Sequence, residues 1–489
     1  MIKTLFLIFL IFLFVSTYSI SYYYDLMIGI SSYGIIMIVY FVFQLLFSTL
    51  NNKVYLELAR SDWLKRNTSR SFLNFEEITV VENPFKCVLI MVGHREREDY
   101  WEKALLSVKN INPSNLAHVY FIIDGNQEDD RYMIQKAHDV FDSLNLGFIV
   151  DIISISQRGK RGAMFYGFER VRTDYPNQEN NIDVVVSDSD TALEESCIVR
   201  LQECLRSNSN NGCATGVLSI YNLQDGILPK MIHARYSYAF MIERGATSYF
   251  GCMTCCSGPL SIYRLSVLNE MILKKFITQS FLTVKCEPGD DRHLTNLVLA
   301  QGYYARQTNF SVASTEAPET LYRFLNQQLR WSRSYFRELY WQVKAIEKQS
   351  YYLSFVTVYE TLFPFFVTAW MIKILYFNRD IESVYRGIII SIMILFVRTC
   401  ILFAYMKQCV TWYNLLYYPT YLLMLLPTKI YAVYSLLNNR WVTAPRFQKS
   451  ALSLQCHISS HFIFLILWNL MLGGGLIRHV LLYFGYMLK

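Results

Sequence analysis

The sequence lacks several features that would indicate other classes of protein. It has no internal repeat and no low-complexity linker, so neither repeated units nor a flexible spacer divides it. It also has no stripe of basic residues. The net charge is +7, but lysines and arginines cluster beside hydrophobic segments. This distribution is typical of positive-inside membrane topology, and it argues against a nucleic-acid partner.

A disulfide framework is also missing, although the chain has eleven cysteines. Their number is odd and their spacing irregular. Cys252, Cys255 and Cys256 form a CxxCC cluster that could suggest zinc, but no second ligand pair follows at a suitable spacing. We therefore interpret the cysteines as free thiols in a domain that faces the cytosol.

Hydrophobic residues make up 53% of the chain and are concentrated at its two ends. Near the N-terminus, residues 5–15 and about 27–50 form two apolar runs, and no clean small-x-small cleavage site follows the first. We predict two retained transmembrane helices within residues 1–50 and a cytoplasmic linker at 51–82. The linker is rich in cations, namely Lys53, Arg60, Lys65, Arg66 and Arg70.

The C-terminal part, residues 351–489, is predicted to form membrane and interface helices. Its apolar runs cover roughly 351–377, 387–406, 412–437 and 458–488. The third run contains prolines and a lysine, and is followed by the cations Arg440, Arg446 and Lys449. Counting every run as a crossing would place these cations outside, so we predict that the third run is partly interfacial or re-entrant. The last run, interrupted by Gly473–Gly475, is compatible with one long helix or a tight hairpin.

Residues 83–320, between these ends, have the pattern of a soluble α/β domain. Short apolar runs at 87–92, 119–123, 148–155 and 184–186 predict strands buried on both faces. A helical pattern from about Tyr100 to Lys109 follows the first of them. Strands that alternate with helices and end in polar residues predict an open sheet with ligands above the strand ends.

Acidic residues follow two of these strands. Asp188 and Asp190 form a DxD pattern, which can bind a divalent cation, Mg²⁺ or Mn²⁺, and so neutralise a nucleotide diphosphate. A solvated turn is the alternative, but the preceding strand and the other acidic residues favour the cation. Asp124 stands beside Gly125, where the backbone can approach a base or ribose closely; a helix N-cap remains open. Lys160 and Arg161 follow another strand and suit phosphates, although such pairs are often solvated.

The segment from Gly289 to Trp331 contains the remaining chemistry. Asp290 and Asp291 are adjacent carboxylates, one of which can act as general base on an acceptor hydroxyl. Amide, guanidinium and indole groups follow at Gln327, Arg330 and Trp331, and these suit phosphate and the face of a sugar ring. Residues 321–350 are predicted to form an amphipathic helix at a membrane surface, with Arg333, Arg337 and Glu338 among its aromatic residues.

Together these residues resemble the processive membrane glycosyltransferases of family two, and most closely the hyaluronan synthases. The matching stretches are DGNQEDDRYM at 124–133, SYFGCMTCCSGPLSIYR at 248–264, KCEPGDDRHLTN at 285–296 and NQQLRWSRSYFRE at 326–338. The DxD and QxxRW patterns are shared with cellulose and chitin synthases, whereas the runs around Gly258 and Asp291 are far more specific. Two positions depart from the family pattern: Gly162, where an acidic residue is usual, and the 441–444 segment, which only partly matches a gating loop.

The resemblance implies an α/β GT-A domain with a mostly parallel sheet, inserted between N-terminal and C-terminal membrane helices that form a channel. It implies inverting transfer from UDP-GlcNAc and UDP-glucuronate to a growing polysaccharide, at the plasma membrane and with the catalytic domain in the cytoplasm. The implied nucleotide contacts are Asp124, Lys160, Arg161, Asp188, Gln327 and Arg330. The implied metal ligands are Asp188 and Asp190, and the implied base is Asp291 with Asp290 beside it. The implied acceptor contacts are Trp331, Cys286, Gly258 and Pro259.

Two alternatives remain open at this point. A chitin synthase would share every catalytic motif and use UDP-GlcNAc alone. An inert transporter or membrane-anchored binding protein is disfavoured, because every expected acidic position is present.

Overall fold

The computed structural model describes residues 2–23, 37–54, 85–142, 144, 146–378, 381–439 and 459–487. At the N-terminus, α1 (Ile2–Tyr23) and α2 (Met37–Val54) occupy the two predicted apolar runs. The predicted linker begins within the last turn of α2, and its residues from 55 onward lie outside the described residues. The 441–444 segment lies outside them as well.

The α/β domain is built on an eight-stranded sheet with the order β3-β2-β1-β4-β7-β6-β10-β5. Its strands are β1 (Lys86–Gly93), β2 (Leu116–Asp124), β3 (Ile149–Ile155), β4 (Ile182–Asp188), β5 (Ala192–Leu193), β6 (Asn211–Ile220), β7 (Ser261–Arg264) and β10 (Tyr304–Thr315). A small hairpin of β8 (Ser280–Phe281) and β9 (Val284–Lys285) stands apart. Strands β1 to β4 pair in parallel, as do β6 and β10, while β7 is antiparallel to both β4 and β6.

Helices cover both faces of this sheet. They are α3 (Glu98–Lys109), α4 (Arg131–Phe141), α5 (Gly159–Asp174), α6 (Cys197–Arg206), α7 (Ile227–Tyr238), α8 (Gly245–Tyr249), α9 (Glu270–Ile277) and α10 (Asp290–Ala300). Along β1, Val88 and Ile90 pack into one core cluster, whereas Leu89 and Met91 pack into another on the opposite face. Burial on both faces explains why these strands are continuously apolar in sequence.

The sequence patterns found β1 to β4 but did not find β6, β7 and β10. The sequence of β6, NGCATGVLSI, contains glycine, asparagine and threonine, and β10 alternates polar with small residues. Glycine and asparagine are depleted in strands, so propensity alone argues against β6. Its pairing with β7 and β10 is a tertiary effect that the local sequence does not encode.

After the sheet, the chain forms helices that connect the domain to the membrane region. These are α11 (Leu321–Ile346), α12 (Tyr351–Ile372), α13 (Ile381–Met406), α14 (Asn414–Thr420), α15 (Leu426–Tyr434) and α16 (Ser460–Met487). The last is one helix that runs through Gly473–Gly475, so the structure does not form the hairpin alternative. Residues 412–437 are broken into α14, a π-helical turn at Tyr421–Leu425 and α15, which pack against α7 and α11.

Among the described residues, four helices are long and apolar enough to cross a membrane: Ile2–Ile20, Met37–Val54, Tyr351–Phe377 and Ser460–Gly485. Ser391–Met406 is a shorter apolar helix. The start of α1 lies beside the end of α11, where the Thr4 amide donates to Glu347 Oε1 at 3.0 Å. The end of α2 returns to the same side, since Asn51 Nδ2 donates to the Gln307 carbonyl at 3.2 Å. The two N-terminal helices therefore form a hairpin whose open end faces the α/β domain.

The charged residues of α11 differ from the prediction of a membrane-surface helix. Arg333, Arg337 and Glu338 are 9%, 2% and 1% exposed, and so they face protein. Arg337 Nε donates to the Leu436 carbonyl at 2.7 Å, and Arg333 Nε donates to Ser435 Oγ at 3.0 Å. The physical reason is that carbonyl groups at the C-terminal end of a helix lack partners within the helix and attract cations. Because α15 ends at Tyr434, Arg333 and Arg337 bind the residues that follow it.

Candidate active site

One cavity of about 1010 Å³ lies above the carboxyl ends of β1, β2 and β4. It collects most of the residues that the sequence singled out. These are Asp124, Lys160, Asp188, Asp190, Gly258, Pro259, Asp290, Asp291, Gln327, Arg330 and Trp331. Parallel strands end at the same edge of a sheet, which is why residues far apart in sequence meet there.

Asp124 ends β2 and is almost fully buried. Its Oδ1 accepts a hydrogen bond from the Arg158 backbone amide at 2.7 Å, at the start of α5. Its backbone carbonyl lies 2.5 Å from Nδ1 of His94, which also lines the cavity. Asp124 is therefore not the N-cap of a helix, since α5 has Arg158 at that position; its carboxylate instead holds the residue before α5, and it borders the cavity.

Lys160 joins two of the acidic motifs. Its Nζ lies 2.6 Å from Asp188 Oδ1 and 3.4 Å from Asp290 Oδ2. Burial opposes the charge of Lys160, but Asp188 and Asp290 together raise its pKa. Burial also opposes the charge of Asp290 and so acts to raise its pKa, but the charges of Lys160 and Arg161 outweigh burial and lower this pKa. Lys160 and Asp290 are therefore charged near neutral pH.

Gly258 lies against the charged groups of Lys160 and Asp188. A Cβ added to Gly258 would lie 3.1 Å from Lys160 Nζ and 3.5 Å from Asp188 Oδ2. A side chain would therefore crowd both charged groups. The glycine allows the backbone to approach them closely.

Asp190 sits among like charges. Its pKa is raised well above the ordinary range, first by burial and then by the neighbouring Glu96 and Asp188. Glu96 lines the same cavity, and its Oε2 accepts a hydrogen bond from Ser189 Oγ at 3.2 Å. The sequence analysis did not predict Glu96 as a site residue, although its position just after the end of β1 could have indicated one.

These carboxylates fit a hard divalent cation by donor chemistry, because oxygen ligands suit Mg²⁺ and Mn²⁺ and repulsion between them favours a bound cation. Within the part of the chain that the structure describes, no group of three His, Cys, Asp or Glu side chains is arranged as a complete metal site. Asp188 and Asp190 are the residues that would hold such a cation.

Asp291 is the second residue of α10, which begins directly after the left-handed Gly289. Gly289 has φ of +95°, and a Cβ there would lie 1.9 Å from Ser334 Oγ of α11. The Arg292 amide donates to Asp291 Oδ1 at 2.7 Å, and Cys255 Sγ donates to Oδ2 at 3.4 Å. Asp291 therefore sits at the cavity wall with a hydrogen bond to each oxygen.

A buried polar network joins α10 to α11. Glu338 accepts hydrogen bonds from His293 Nδ1 at 3.1 Å, from Asn296 Nδ2 at 3.0 Å and from Gln279. All four residues are almost fully buried. A satisfied buried network restricts the relative motion of the elements that it connects. It therefore fixes the helix of Asp290 and Asp291 against the helix that carries Gln327, Arg330 and Trp331.

The residues of the QxxRW pattern point from α11 into the cavity. Trp331 is 39% exposed, and its ring centroid lies 6.3 Å from that of Tyr236. Burial lowers the pKa of Arg330, and the charges of Asp290 and Asp291 oppose this shift. Among the residues that the structure describes, none gives a hydrogen bond to the buried Gln327 Oε1, which leaves this atom open to a ligand.

The structure does not bring Arg161 and Cys286 to the cavity wall. Arg161 is 1% exposed; its Nη1 donates to the Phe276 carbonyl at 2.8 Å, and its guanidinium lies 5.0 Å from the Phe276 ring centroid. Cys286 is also 1% exposed, with Sγ 3.8 Å from the Val284 carbonyl. Arg161 thus acts on the site through its charge, because it helps to lower the pKa of Asp290.

The cavity continues from the strand ends into the membrane helices. Its further walls include Phe41 of α2, Tyr359 and Glu360 of α12, Arg398 of α13 and the π-turn residue Tyr421. Sequence patterns did not find these residues, because they lie within apolar runs that the sequence analysis interpreted as membrane or interface helices. Only the packing of the helices brings these residues to the wall of one cavity.

A sheet of this topology, with a DxD at the end of β4 and carboxylates at the start of α10, defines a GT-A-like glycosyltransferase. Residues 84–334 match the family model described as "Glycosyltransferase like family 2". The chain belongs to this family.

The relatives of the chain include several hyaluronan synthases. Hyaluronan synthase 1 of Xenopus laevis is 30% identical over 88% of this chain and 77% of its own length. Hyaluronan synthase 3 of Mus musculus is 32% identical over 81% of this chain and 75% of its own. Hyaluronan synthase 3 of Xenopus laevis is 33% identical over 73% of this chain and 68% of its own.

Proposed function

We propose that the protein is a hyaluronan synthase, which polymerises GlcNAc and glucuronate from UDP-sugars and moves the product across the membrane. The observation that carries this proposal is the single cavity, which borders Asp188 and Asp291 and also borders Phe41, Tyr359 and Arg398 of the membrane helices. A processive enzyme needs such continuity, because each addition must push the chain onward. Similarity to the curated hyaluronan synthases supports the choice of product.

On the donor side, Asp124 borders the space for the uridine, and Lys160, Gln327 and Arg330 border the space for the diphosphate. Asp188 and Asp190 would hold Mg²⁺ or Mn²⁺, which supplies positive charge to the diphosphate when bound. Lys160 holds Asp188 in place by its 2.6 Å contact. The two cationic side chains stabilise the negative charge that grows on the departing UDP.

On the acceptor side, Asp291 takes the proton of the attacking hydroxyl. The hydroxyl oxygen forms the new bond to the anomeric carbon, while the bond from that carbon to the UDP oxygen breaks. UDP leaves with the electron pair, and displacement from the opposite face inverts the anomeric configuration. Trp331 offers its indole face to the acceptor ring, and Gly258 and Pro259 border the same space.

We propose that the α/β domain lies in the cytoplasm and that the enzyme works at the plasma membrane; the cations that follow the second apolar run support this side. The start of α1 contacts Glu347 after α11, and the end of α2 contacts Gln307 of β10. The end of α13 lies on the same side, because Leu402 and Met406 pack with Tyr238 and Ile242 of the domain. Nucleotide sugars are thereby used on one side of the membrane, and the polysaccharide leaves on the other.

The test uses the full-length protein, purified and supplied with each UDP-sugar singly and then with both. We expect polymer only with UDP-GlcNAc and UDP-glucuronate together, and complete digestion of that polymer by hyaluronidase. Hyaluronidase-resistant polymer from UDP-GlcNAc alone would contradict the proposal and identify a chitin synthase. An absence of UDP release with any UDP-sugar, in Mg²⁺ or Mn²⁺, would instead identify an inert membrane protein.

A further inference from the structure

The CxxCC cluster has no role in the chemistry described so far, yet one of its cysteines contacts the candidate base. Cys255 lies in the loop between α8 and β7, and its Sγ donates to Oδ2 of Asp291 at 3.4 Å. The other carboxylate oxygen, Oδ1, accepts from the Arg292 backbone amide at 2.7 Å. The two bonds together fix the plane of the carboxylate.

A second contact holds this loop against α10. Thr295 Oγ1 donates to the Asp291 carbonyl at 2.7 Å and accepts from the Cys256 backbone amide at 2.9 Å. Thr295 is fully buried, so this bridge is shielded from water. The residue next to Cys255 is thus tied to the helical turn that carries Asp291, which leaves the thiol little freedom to move away.

A third contact ties the loop to the sheet. The Ser257 amide lies 3.3 Å from Thr215 Oγ1 of β6, which in turn donates to the Leu260 carbonyl at 2.5 Å. Three consecutive residues of the loop therefore have separate anchors: Asp291, Thr295 and Thr215. The cysteine cluster and the serine after it form a rigid link between the sheet and the candidate base.

We propose that Cys255 is a positioning residue for the transfer reaction: its thiol holds the Asp291 carboxylate in the orientation in which it takes the acceptor proton. This inference rests on the proposed role of Asp291 as base. Hydrogen bonds are directional, so a donor at a fixed position favours one orientation of the carboxylate. Burial and the charge of Asp291 raise the pKa of Cys255 to about 12, so the thiol carries its proton at neutral pH and can donate it.

Other groups act on Asp291 as well, and the test must hold them constant. They are Lys160 of α5, Asp188 of β4, Tyr263 of β7, Asp290 and Arg292 of α10, and Arg330 of α11. All of them remain in each variant described below. A difference in rate between the position-255 variants therefore reports the effect of the side chain at that position.

The experiment compares Cys255→Ala, which removes the donor, with Cys255→Ser, which keeps one, in the full-length protein. The control is Cys256→Ala, which removes a fully buried thiol from the same loop but leaves its backbone bridge to Thr295. Initial rates of UDP release with both donors give kcat and KM as functions of pH. The wild type is measured first, so that failure of the proposed function is recognised separately.

We expect Cys255→Ala to lower kcat by about twofold to tenfold at neutral pH, the range of one hydrogen bond, with little change in the donor KM. Cys255→Ser should recover most of the rate, because it keeps a donor at this position. Cys256→Ala should keep the wild-type kcat even if its thermal stability falls.

The inference is overturned if the wild type is active and kcat is the same in Cys255→Ala, Cys255→Ser and Cys256→Ala. It is also overturned if the serine variant behaves as the alanine variant does, because a donor would then have no effect. If Cys255→Ala does not fold, Thr295→Val provides the second measurement. It removes the hydroxyl bridge but keeps the thiol, and we expect a smaller fall in kcat with the donor KM again unchanged.

Discussion

At the scale of single residues, the site is a set of opposite charges that hold one another in place. Lys160 contacts Asp188 and Asp290, whereas Asp291 has no ion pair with a lysine in the described part of the chain. Asp290 thus stabilises the cationic side of the site, while Asp291 has hydrogen bonds from Cys255 and a backbone amide. The two adjacent acids, equivalent by sequence, have different surroundings and therefore different proposed roles.

Replacement of Asp291 tests this division. Asp291→Asn keeps the size of the side chain but cannot accept a proton, so turnover should fall by roughly 10²–10⁴-fold. Binding of UDP-sugar, measured by calorimetry on the full-length protein, should be nearly unchanged. The matched control is Asp99→Asn, an exposed carboxylate that pairs with Arg97 outside the cavity. Near-native turnover of Asp291→Asn would mean that another residue is the base. Weak binding of UDP-sugar by this variant would mean that Asp291 belongs to the donor site.

Replacement of Asp190 tests the cation site. Asp190→Asn should abolish transfer, and chelation by EDTA should do the same to the native protein, because the diphosphate would lose its counter-charge. Added Mg²⁺ or Mn²⁺ should restore the chelated enzyme but not the variant. UDP release in the presence of each ion is the measurement. Full activity in EDTA would remove the metal from the proposed mechanism.

At the scale of elements, the site depends on how α10 meets α11. The buried Glu338 network joins the two helices, and Gly289 allows the chain to enter α10 directly against Ser334. Sequence patterns located both motifs, but not their contact, since helix periodicity does not say which helices pack together. Arg333 and Arg337 of α11 are a second feature that the sequence pattern did not predict correctly, because they face protein. An amphipathic pattern predicts which face is polar, not whether lipid or protein covers it.

A substitution at Gly289 tests this contact. Gly289→Ala should lower activity by at least tenfold and lower the thermal midpoint, because φ is +95° and the new Cβ would overlap Ser334 Oγ. The double variant Gly289→Ala with Ser334→Gly removes the overlap but keeps the backbone strain, so it should recover only part of the loss. UDP release and thermal unfolding in detergent are the measurements. Equal activity of wild type and Gly289→Ala would mean that α10 does not enter the site in this way.

At the scale of the whole molecule, the α/β domain and the membrane helices share one cavity. Contacts place the two ends of the α1–α2 pair beside the domain, while His479 of α16 lies 2.9 Å from the Ile374 carbonyl at the far end of α12. The end of α12 should therefore lie on the side of the membrane opposite to the domain.

Cysteine labelling tests this arrangement in intact cells. Phe377 is 70% exposed in the π-helical turn Lys373–Phe377 that follows α12, so Phe377→Cys should react with a membrane-impermeant maleimide added outside. Glu128→Cys, on an exposed turn of the α/β domain, should react only after the membrane is permeabilised. Both changes are made with Cys409→Ser, because Cys409 is exposed in the native chain. Labelling of both positions from the same side would contradict the topology.

The sequence by itself determined the features that are continuous along the chain. The apolar runs predicted β1 to β4, and β1, β2 and β4 are buried because a strand covered on both faces needs apolar residues throughout; β3 lies at the sheet edge and is mostly half-buried. The ends of β2 and β4 located Asp124, Asp188 and Asp190. The long apolar runs predicted the membrane helices for a similar reason. The resemblance then identified the family, which the comparisons confirm.

Only the tertiary structure decided which side chains meet. It turned Arg161 and Cys286 away from the cavity, brought Glu96 into it and placed Cys255 at Asp291. The reason is that the direction of a side chain depends on the elements packed around it, and these come from distant parts of the sequence. A local pattern records which residues can do chemistry, whereas packing selects those that face the substrate.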